Sequence, residues 1–376
     1  MRKKITILII LFTLLACGNN PEDKDLHLTK DYLPRDMLHS GIIHNGNIYI
    51  PYPLQKHYGE IGVPYAIAEY DGDKIRFIND NPTNLCNKGN TTECGTFNEG
   101  WIEALIVTNN FIISVESSQS AGEYESYLTI RDLNGSNRKE IMELKTRGDI
   151  LDNFQIESDN ENIYFVFEDD IYQYIIQSEK LIVLTKNKTM SDVENLKLED
   201  DTLYFSVTQY EDDDTKYATS ILSYNGSFNL IESNIEGTIK RVFSDKYFIS
   251  LVYGKDENIE YENFLEYYNS NKSISLGKMP ISGILALNDL VITLETNIEN
   301  RDNILNLYTD KDQNLKKLYE LKIDTDEWLL LSAIENNKIL LSRSAIFDFG
   351  SYMEPITIEI KNDKLVNLKH YEYEPH

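Results

Sequence analysis

One short pattern recurs seven times along this chain: an apolar strand that starts on a polar or charged residue just after a tight turn. It reads Asn47-Ile48-Tyr49-Ile50, Asn110-Phe111-Ile112-Ile113, Asn162-Ile163-Tyr164-Phe165, Thr202-Leu203-Tyr204-Phe205, Lys246-Tyr247-Phe248-Ile249, Asp289-Leu290-Val291-Ile292 and Lys338-Ile339-Leu340-Leu341. A repeated unit of this size cannot bury its apolar face alone, so its copies must pack on one another. Third strands follow at 66–70, 127–132, 171–176, 220–224, 264–268, 304–308 and 356–360, with short fourth strands such as 75–78 and 181–184. Asp71-Gly72, Asn134-Gly135 and Asn225-Gly226 stand where the third strand turns into the fourth. Such dipeptides suit hairpin turns in which both central residues take positive φ.

Successive second strands start between 40 residues (Asn162 to Thr202) and 63 residues (Asn47 to Asn110) apart, the spacing of one four-stranded blade. No stretch carries a sustained helical stripe. The 25 Tyr and 14 Phe, spread along the chain, suit half-buried pleated sheet. The expectation is an all-β fold, a seven-bladed β-propeller of four-stranded antiparallel blades over residues 38–376. The competing architectures are a six- or eight-bladed propeller and a pair of β-sandwiches, because periodicity reports strands more directly than closure. The repeat resembles those of exported bacterial propellers in the broad TolB-like and quinoprotein-like group. Trp-Asp signatures, kelch diglycines, Asp boxes and regularly spaced tryptophans are absent from it.

The amino terminus carries a different signal. Arg2, Lys3 and Lys4 precede an apolar run, Ile5 to Ala16, that is too short to span ~30 Å of hydrocarbon as a helix. The run ends in Leu14-Leu15-Ala16-Cys17, which resembles the lipobox of bacterial lipoproteins. An ordinary secretory signal with a chance cysteine is the competing reading. The resemblance implies that 1–16 is a cleaved signal peptide, that Cys17 receives diacylglycerol (and its amine commonly an acyl chain such as palmitate), and that 17–37 is a flexible tether. It also implies residence in the cell envelope, on the outer side of the cytoplasmic membrane or in the outer membrane, with exposure at the surface a further option.

With Cys17 taken by lipid, Cys86 and Cys94 are an even pair in an oxidising compartment, and a disulfide is expected. The 62 acidic residues against 36 basic give a net charge of -26, which argues against nucleic acid as a partner. Solubility is its plain meaning, and a monomer is expected.

In an up-and-down blade, two-to-three loops and interblade links share one end of the ring, and the other turns share the opposite end. The long insertions (51–64, 116–125, 209–216, 254–263, 297–303, 345–354 and the cysteine-bearing 79–100) belong to the first kind. Loops held by a rigid scaffold are where binding concentrates. Tyr52, His57, Tyr58, Trp101, Tyr210, Tyr253, Phe347, Phe349 and Tyr352 are therefore candidate contacts for a protein, peptide or glycan partner. Core packing competes at each position, most strongly at Trp101, which starts an inner strand.

Chemical motifs are sparse. His27, His39, His44, His57, His370 and His376 form no zincin pair, and neither a Gly-x-Ser-x-Gly elbow nor a phosphate-cradling loop occurs. The segment 310–314 resembles the start of an EF-hand, but Leu315 and Leu321 replace its glycine and closing carboxylate, so it reads as a turn. The acidic loop 211–214 could attract calcium weakly; no other cofactor is expected. The sequence thus favours a non-catalytic binding or scaffolding module on a lipid anchor. The alternatives are an exported carbohydrate-active hydrolase or lyase using acidic residues at the propeller channel and, third, a quinone-cofactor propeller, which the lack of recurring tryptophans disfavours.

Overall fold

The computed structural model describes residues 41–53, 65–71, 74–78, 95, 96, 98, 100–120, 123–144, 154–186, 190, 192–210, 217–253, 260–268, 270, 272–296, 302–325, 328–347 and 350–371. Every regular element among them is a strand, and the strands form seven four-stranded sheets. The first blade holds β1 (Ile42–His44), β2 (Asn47–Pro53), β3 (Tyr65–Asp71) and β4 (Lys74–Phe77), and the second β5 (Trp101–Val107), β6 (Phe111–Ser120), β7 (Glu123–Asp132) and β8 (Lys139–Leu144). In the third are β9 (Gln155–Ser158), β10 (Asn162–Phe167), β11 (Asp170–Ile175) and β12 (Lys180–Val183). The fourth comprises β13 (Val193–Glu199), β14 (Thr202–Tyr210), β15 (Tyr217–Tyr224) and β16 (Phe228–Ile235). Then come β17 (Thr238–Val242), β18 (Lys246–Tyr253), β19 (Glu260–Tyr267) and β20 (Ser273–Gly277). The sixth blade has β21 (Ile281–Leu287), β22 (Leu290–Thr296), β23 (Asn303–Lys311) and β24 (Asn314–Ile323), and the seventh β25 (Trp328–Glu335), β26 (Lys338–Phe347), β27 (Gly350–Lys361) and β28 (Lys364–His370). Spatial order equals chain order in every sheet, so each blade is an antiparallel meander.

Radial stacking shows in the core. The buried apolar residues divide into seven clusters, each drawing on two neighbouring blades. Ile113, Val115 and Leu128 of the second blade, for example, meet Phe154, Ile163 and Phe165 of the third. Full burial of one such side chain contributes about 1.5–3 kcal/mol, so neighbouring blades stabilise each other where one sheet alone could not.

The seventh cluster closes the ring. Ile48, Ile50, Tyr52 and Tyr70 of the first blade pack with Leu340 and Tyr371 from the last, and the Tyr70 and Tyr371 rings meet edge to face at 5.1 Å. Polar contacts reinforce this seam: the amides of Asn45 and Gly46 donate to the two oxygens of Glu335 at 3.0 and 2.8 Å. Among the described residues no strand is shared between the first and last blades.

The turns show which residues suit the sheet twist. Glu168-Asp169, Asp200-Asp201, Asp312-Gln313, Asn336-Asn337 and Asn362-Asp363 have both residues at positive φ, the geometry that matches right-twisted strands. The EF-hand-like segment is accordingly the turn from β23 to β24. Within Asn134-Gly135 and Asn225-Gly226 only the glycines are left-handed (φ 89° and 95°); these connections exceed two residues, and the longer one takes a second left-handed residue at Asn137 (φ 54°). Two expected insertions are also corrected. Residues 116–120 and 123–125, and likewise 345–347 and 350–354, continue as paired strand, with Ser117 opposite Ser126, Gln119 opposite Tyr124, Ala345 opposite Tyr352 and Phe347 opposite Gly350. In the first of these, polar residues such as Ser117 to Ser120 read as loop, yet they carry the ladder on.

Candidate functional site

The two ends of the ring differ in elaboration. At one end, first and second strands are joined by two or three residues in every blade. At the other, 54–64, 211–216, 254–259 and 297–302 separate second from third strands, and the paired extensions of β6–β7 and β26–β27 project there too. The third blade is the exception, with only Glu168-Asp169 between β10 and β11.

The candidate contacts distribute as follows. His57, Tyr58, Phe349, Cys17, Cys86 and Cys94 lie outside the described residues. Trp101 opens β5, Tyr210 closes β14, Tyr253 closes β18, Phe347 closes β26, and Tyr352 lies opposite Ala345 in β27. The meander places all five backbones at the elaborated end. Tyr52 does not fit a surface role: it is 3% exposed and packs edge to face on Phe77, 5.3 Å away. Alternation along β2 turns it inward with Ile48 and Ile50.

The cysteine-bearing stretch is an insertion into the blade plan. In the third blade Thr185, directly after Leu184, accepts a hydrogen bond from the Ile171 amide at 3.1 Å. In the first blade Thr96 accepts from the Ile67 amide at 2.9 Å, although it lies 18 residues beyond Ile78. Tyr65 and Asn98 then exchange backbone hydrogen bonds at 2.9 and 2.8 Å.

Sequence reasoning placed acidic residues at the propeller channel in its alternative reading but did not identify the residues that line it. A cavity of about 230 Å³ lies among the inner strands of six blades, lined by Ala104 to Ile106, Phe154 to Glu157, Leu196, Lys240, Arg241, Ser282 to Leu285, Leu331 and Ser332. Regular alternation would send Lys240 and Arg241 to opposite faces. A β-bulge between Ile239 and Arg241 leaves Lys240 without a cross-strand partner, and both cations reach the cavity wall. Inner strands β5, β13, β21 and β25 are bulged as well. Where β21 nears β25 only glycine fits: a Cβ on Gly283 would lie 2.6 Å from the Leu331 Cβ. The signal that could have found the site is the Lys240-Arg241 pair inside a first strand of a chain with net charge -26.

A buried polar layer holds several of these bulges. Ser117 donates to Glu103 and bonds Ser126 at 2.6 Å. Ser282 bonds Thr296 at 3.0 Å, and Thr296 donates to Asn303 at 2.9 Å. Ser332 meets Ser342 at 2.7 Å, and Asn195 donates to Ser206 at 3.0 Å. Buried hydroxyls satisfied in this way keep the extra residue in place.

The wall carries two cations against one carboxylate, Glu157, which sits 3.5 Å from Lys197 Nζ. Gln155 Oε1 accepts from the Leu196 amide at 2.6 Å. Two buried nitrogens, Arg241 Nε and Gln155 Nε2, have no hydrogen-bond partner among the described residues. The paired carboxylates required for hydrolysis of a glycosidic bond are not found on the described wall.

Other buried charges are internally matched. Glu116 accepts from Arg131, from Arg138 at 2.9 Å, from Ser114 at 2.8 Å and from Thr129 at 3.0 Å. Lys246 pairs with Asp310 at 2.7 Å, and Asp310 accepts from the Tyr267 hydroxyl at 2.5 Å. Burial alone would raise the Glu69 carboxyl, but hydrogen bonds from Arg76, Tyr49 and Asn47 hold it below its ordinary value. Glu295 goes the other way, raised by burial while Lys317 only partly opposes. Among the described residues no group of three His, Cys, Asp or Glu could hold a metal ion, and no helix is long and apolar enough to cross a membrane.

No protein-family model matches this sequence, and neither does the sequence of any curated protein. Solved structures do match. The β-propeller domain of the Trilobed protease from Pyrococcus furiosus, described as having an open velcro topology, superposes with a TM-score of 0.56 at 11% identity, covering 89% of this chain and 94% of that one. A polysaccharide lyase, an ulvan lyase of family PL25, gives 0.49 at 12% identity over 88% and 94% of the two chains. TolB from Acinetobacter baumannii gives 0.37 at 15% identity over 74% and 64%. At such identities the likeness is one of fold, and the first of these superpositions carries it: this chain is a seven-bladed β-propeller.

Proposed function

We propose that the protein is a membrane-anchored envelope lipoprotein whose propeller is a non-catalytic binding module, presenting its elaborated end to a protein, peptide or glycan. The observation that carries this reading is the asymmetry of the ring: turns of two to six residues make up one end, while the longest second-to-third connection, 54–64, and two projecting hairpins lie at the opposite end. A rigid scaffold with one decorated end is an arrangement suited to recognition. The Leu14-Leu15-Ala16-Cys17 motif supports the anchor, with 1–16 as signal peptide and 17–37 as tether. Several acyl methylenes, each contributing ~0.8 kcal/mol, would hold the chain at a bilayer.

Two measurements test it. Metabolic fatty-acid labelling should mark the wild type and not Cys17→Ser, and the variant should leave the membrane fraction; equal labelling of both removes the anchor. Screening the native protein against peptide and glycan arrays should give binding that is lost when 54–64 and 211–216 are replaced by Gly-Ser linkers. Substitutions at Asp200 and Asn336, in the short turns, should leave it intact. Equal effects at the two ends defeat the recognition reading.

A further inference from the structure

We propose that Asn225 is a self-modifying residue: the Gly226 backbone nitrogen attacks its side-chain Cγ and closes a succinimide, which water opens to aspartate or isoaspartate, while the fold holds the other two Asn-Gly pairs unreactive. The chain contains three such pairs, Asn45-Gly46, Asn134-Gly135 and Asn225-Gly226, each in a turn between consecutive strands. Glycine presents no side chain to hinder approach to its own nitrogen, so all three carry the chemistry in principle. Asn134 and Asn225 are both followed by Gly-Ser, so their immediate sequence gives them the same reactivity. What separates them is whether the attacking nitrogen and the side-chain amide are already engaged.

At Asn45-Gly46 the glycine amide donates to Glu335 Oε2 at 2.8 Å, and the asparagine Nδ2 lies 2.9 Å from His44 Nε2. At Asn134-Gly135 the glycine amide donates to the Asp132 carbonyl at 2.8 Å, and Asn134 Oδ1 accepts from the Ser136 amide at 3.0 Å and from its hydroxyl at 2.7 Å. Gly135 is also packed: a Cβ there would lie 3.3 Å from atoms of Gly95, Ile78 and Thr96. Asn225-Gly226 differs on each count. The Asn225 backbone amide donates to the Ser227 carbonyl at 3.4 Å, but among the described residues neither the Gly226 amide nor the Asn225 side chain has a hydrogen-bond partner. Both residues are exposed, and no neighbouring atom lies within 4 Å of where a Cβ on Gly226 would stand.

The reaction balances with water as its only co-reactant. The Gly226 nitrogen bonds to Asn225 Cγ as the Cγ–Nδ2 bond breaks, and the proton it loses departs with the side-chain nitrogen as ammonia. Water then adds across one of the two imide C–N bonds. Opening at Cγ leaves aspartate on the ordinary backbone, whereas opening at the Asn225 carbonyl carbon routes the backbone through Cγ as isoaspartate. A hydrogen bond from the glycine N–H slows the first step, because it must open before the nitrogen can turn toward Cγ. Either product adds a negative charge at the turn from β15 to β16, and isoaspartate adds a methylene to the backbone there. β16 is an outermost strand, with Leu230 64% exposed, so the change falls where the fourth blade is least covered. The turn lies at the end of the ring with the short connections, which makes the modification independent of the elaborated end.

The test is peptide-resolved mass spectrometry of the full chain aged in mildly alkaline buffer and sampled over weeks. Asn225 should exchange its amide for a carboxyl about tenfold or more faster than Asn134 or Asn45, as expected when hydrogen bonds at those two must open first. In the same chain held in denaturant, Asn134 and Asn225 should convert at similar rates, because the fold alone distinguishes them. Asn225→Gln should remove the fast site and leave conversion at Asn134 and Asn45 as it was. Glu335→Ala, which releases the Gly46 amide, should speed conversion at Asn45 severalfold. Should that variant fail to fold, the comparison of native with denatured chain decides in its place. Conversion at Asn225 no faster than at Asn134 in the folded chain, a difference between them that persists in denaturant, or an unchanged rate at Asn45 in folded Glu335→Ala would overturn the proposal.

Discussion

The seam between the first two blades adds a buried charged network to its apolar cluster, whereas the core cluster between the last two blades is wholly aliphatic. At the first, Glu116, Arg131, Arg138, Ser114 and Thr129 form a buried hydrogen-bonded network, and Arg131 also donates to the Gly95 carbonyl at 3.0 Å. At the other, twelve buried aliphatic side chains meet with no charge among them. A network of paired charges demands that every partner be present, because a lone buried charge is far costlier than the pair is favourable. An apolar seam demands volume instead, and tolerates any pH. A propeller therefore asks only that each neighbouring pair of sheets be complementary.

The largest expected effect tests the charged seam. Glu116→Gln should lower unfolding free energy by about 3–5 kcal/mol, because Arg131 is left buried without a counter-ion. The check is a denaturant midpoint with unchanged slope, and a double replacement of Glu116 and Arg131 by Met should recover much of the loss. A single variant as stable as wild type would erase the contrast. Next comes Leu341→Ala in the apolar seam, at about 2–5 kcal/mol through lost burial and the void left behind. This loss should be the same at acidic and neutral pH. Gly283→Ala should cost about 1–3 kcal/mol by overpacking against the Leu331 Cβ, and Leu331→Val alongside it should bring no relief because valine keeps that Cβ.

The smallest effect concerns pH. Because the folded-state value of Glu69 is lowered, its stabilising contribution is present above the ordinary 4.5 and is lost as pH falls through the lowered value. Glu69→Gln should therefore flatten the acid limb of the stability profile of the first blade. Its size is on the order of 1 kcal/mol or less, since Arg76 is 65% exposed and screened. An acid limb as steep in the variant as in the wild type would show that the network around Glu69 contributes little.

The strand repeat was legible because each second strand is short, strongly apolar and set off by turn residues, so Asn162 to Phe165 and Lys338 to Leu341 announce themselves without tertiary information. Blade count followed from counting them. The extended hairpins were not legible: Ser117 to Gln119 and Glu123 to Ser126 are polar on both strands, and polarity alone does not separate a projecting ladder from a loop. The cavity was hidden for a different reason. A bulge adds one residue and resets which side each neighbour faces, so nothing in Thr238 to Val242 tells that Lys240 and Arg241 share a wall. Tyr52 was misplaced because its position after β2's apolar start looked like the beginning of a loop, whereas the strand runs on to Pro53.

Glu335 receiving the amides of Asn45 and Gly46, with Tyr371 against Tyr70, joins the first and last blades by side chains and capping contacts and, among the described residues, by no common sheet. Around the circle, then, the closing junction shares no sheet among the described residues, and backbone pairing reaches across a link only where Tyr65 and Asn98 bridge the first blade to the approach to the second. A gene rearranged to start at the fourth blade and to continue through a peptide linker into the first would be asked to satisfy the same hydrogen bonds as the natural one. Where the polypeptide begins is a matter of genetics and of tethering, and the architecture itself is indifferent to it.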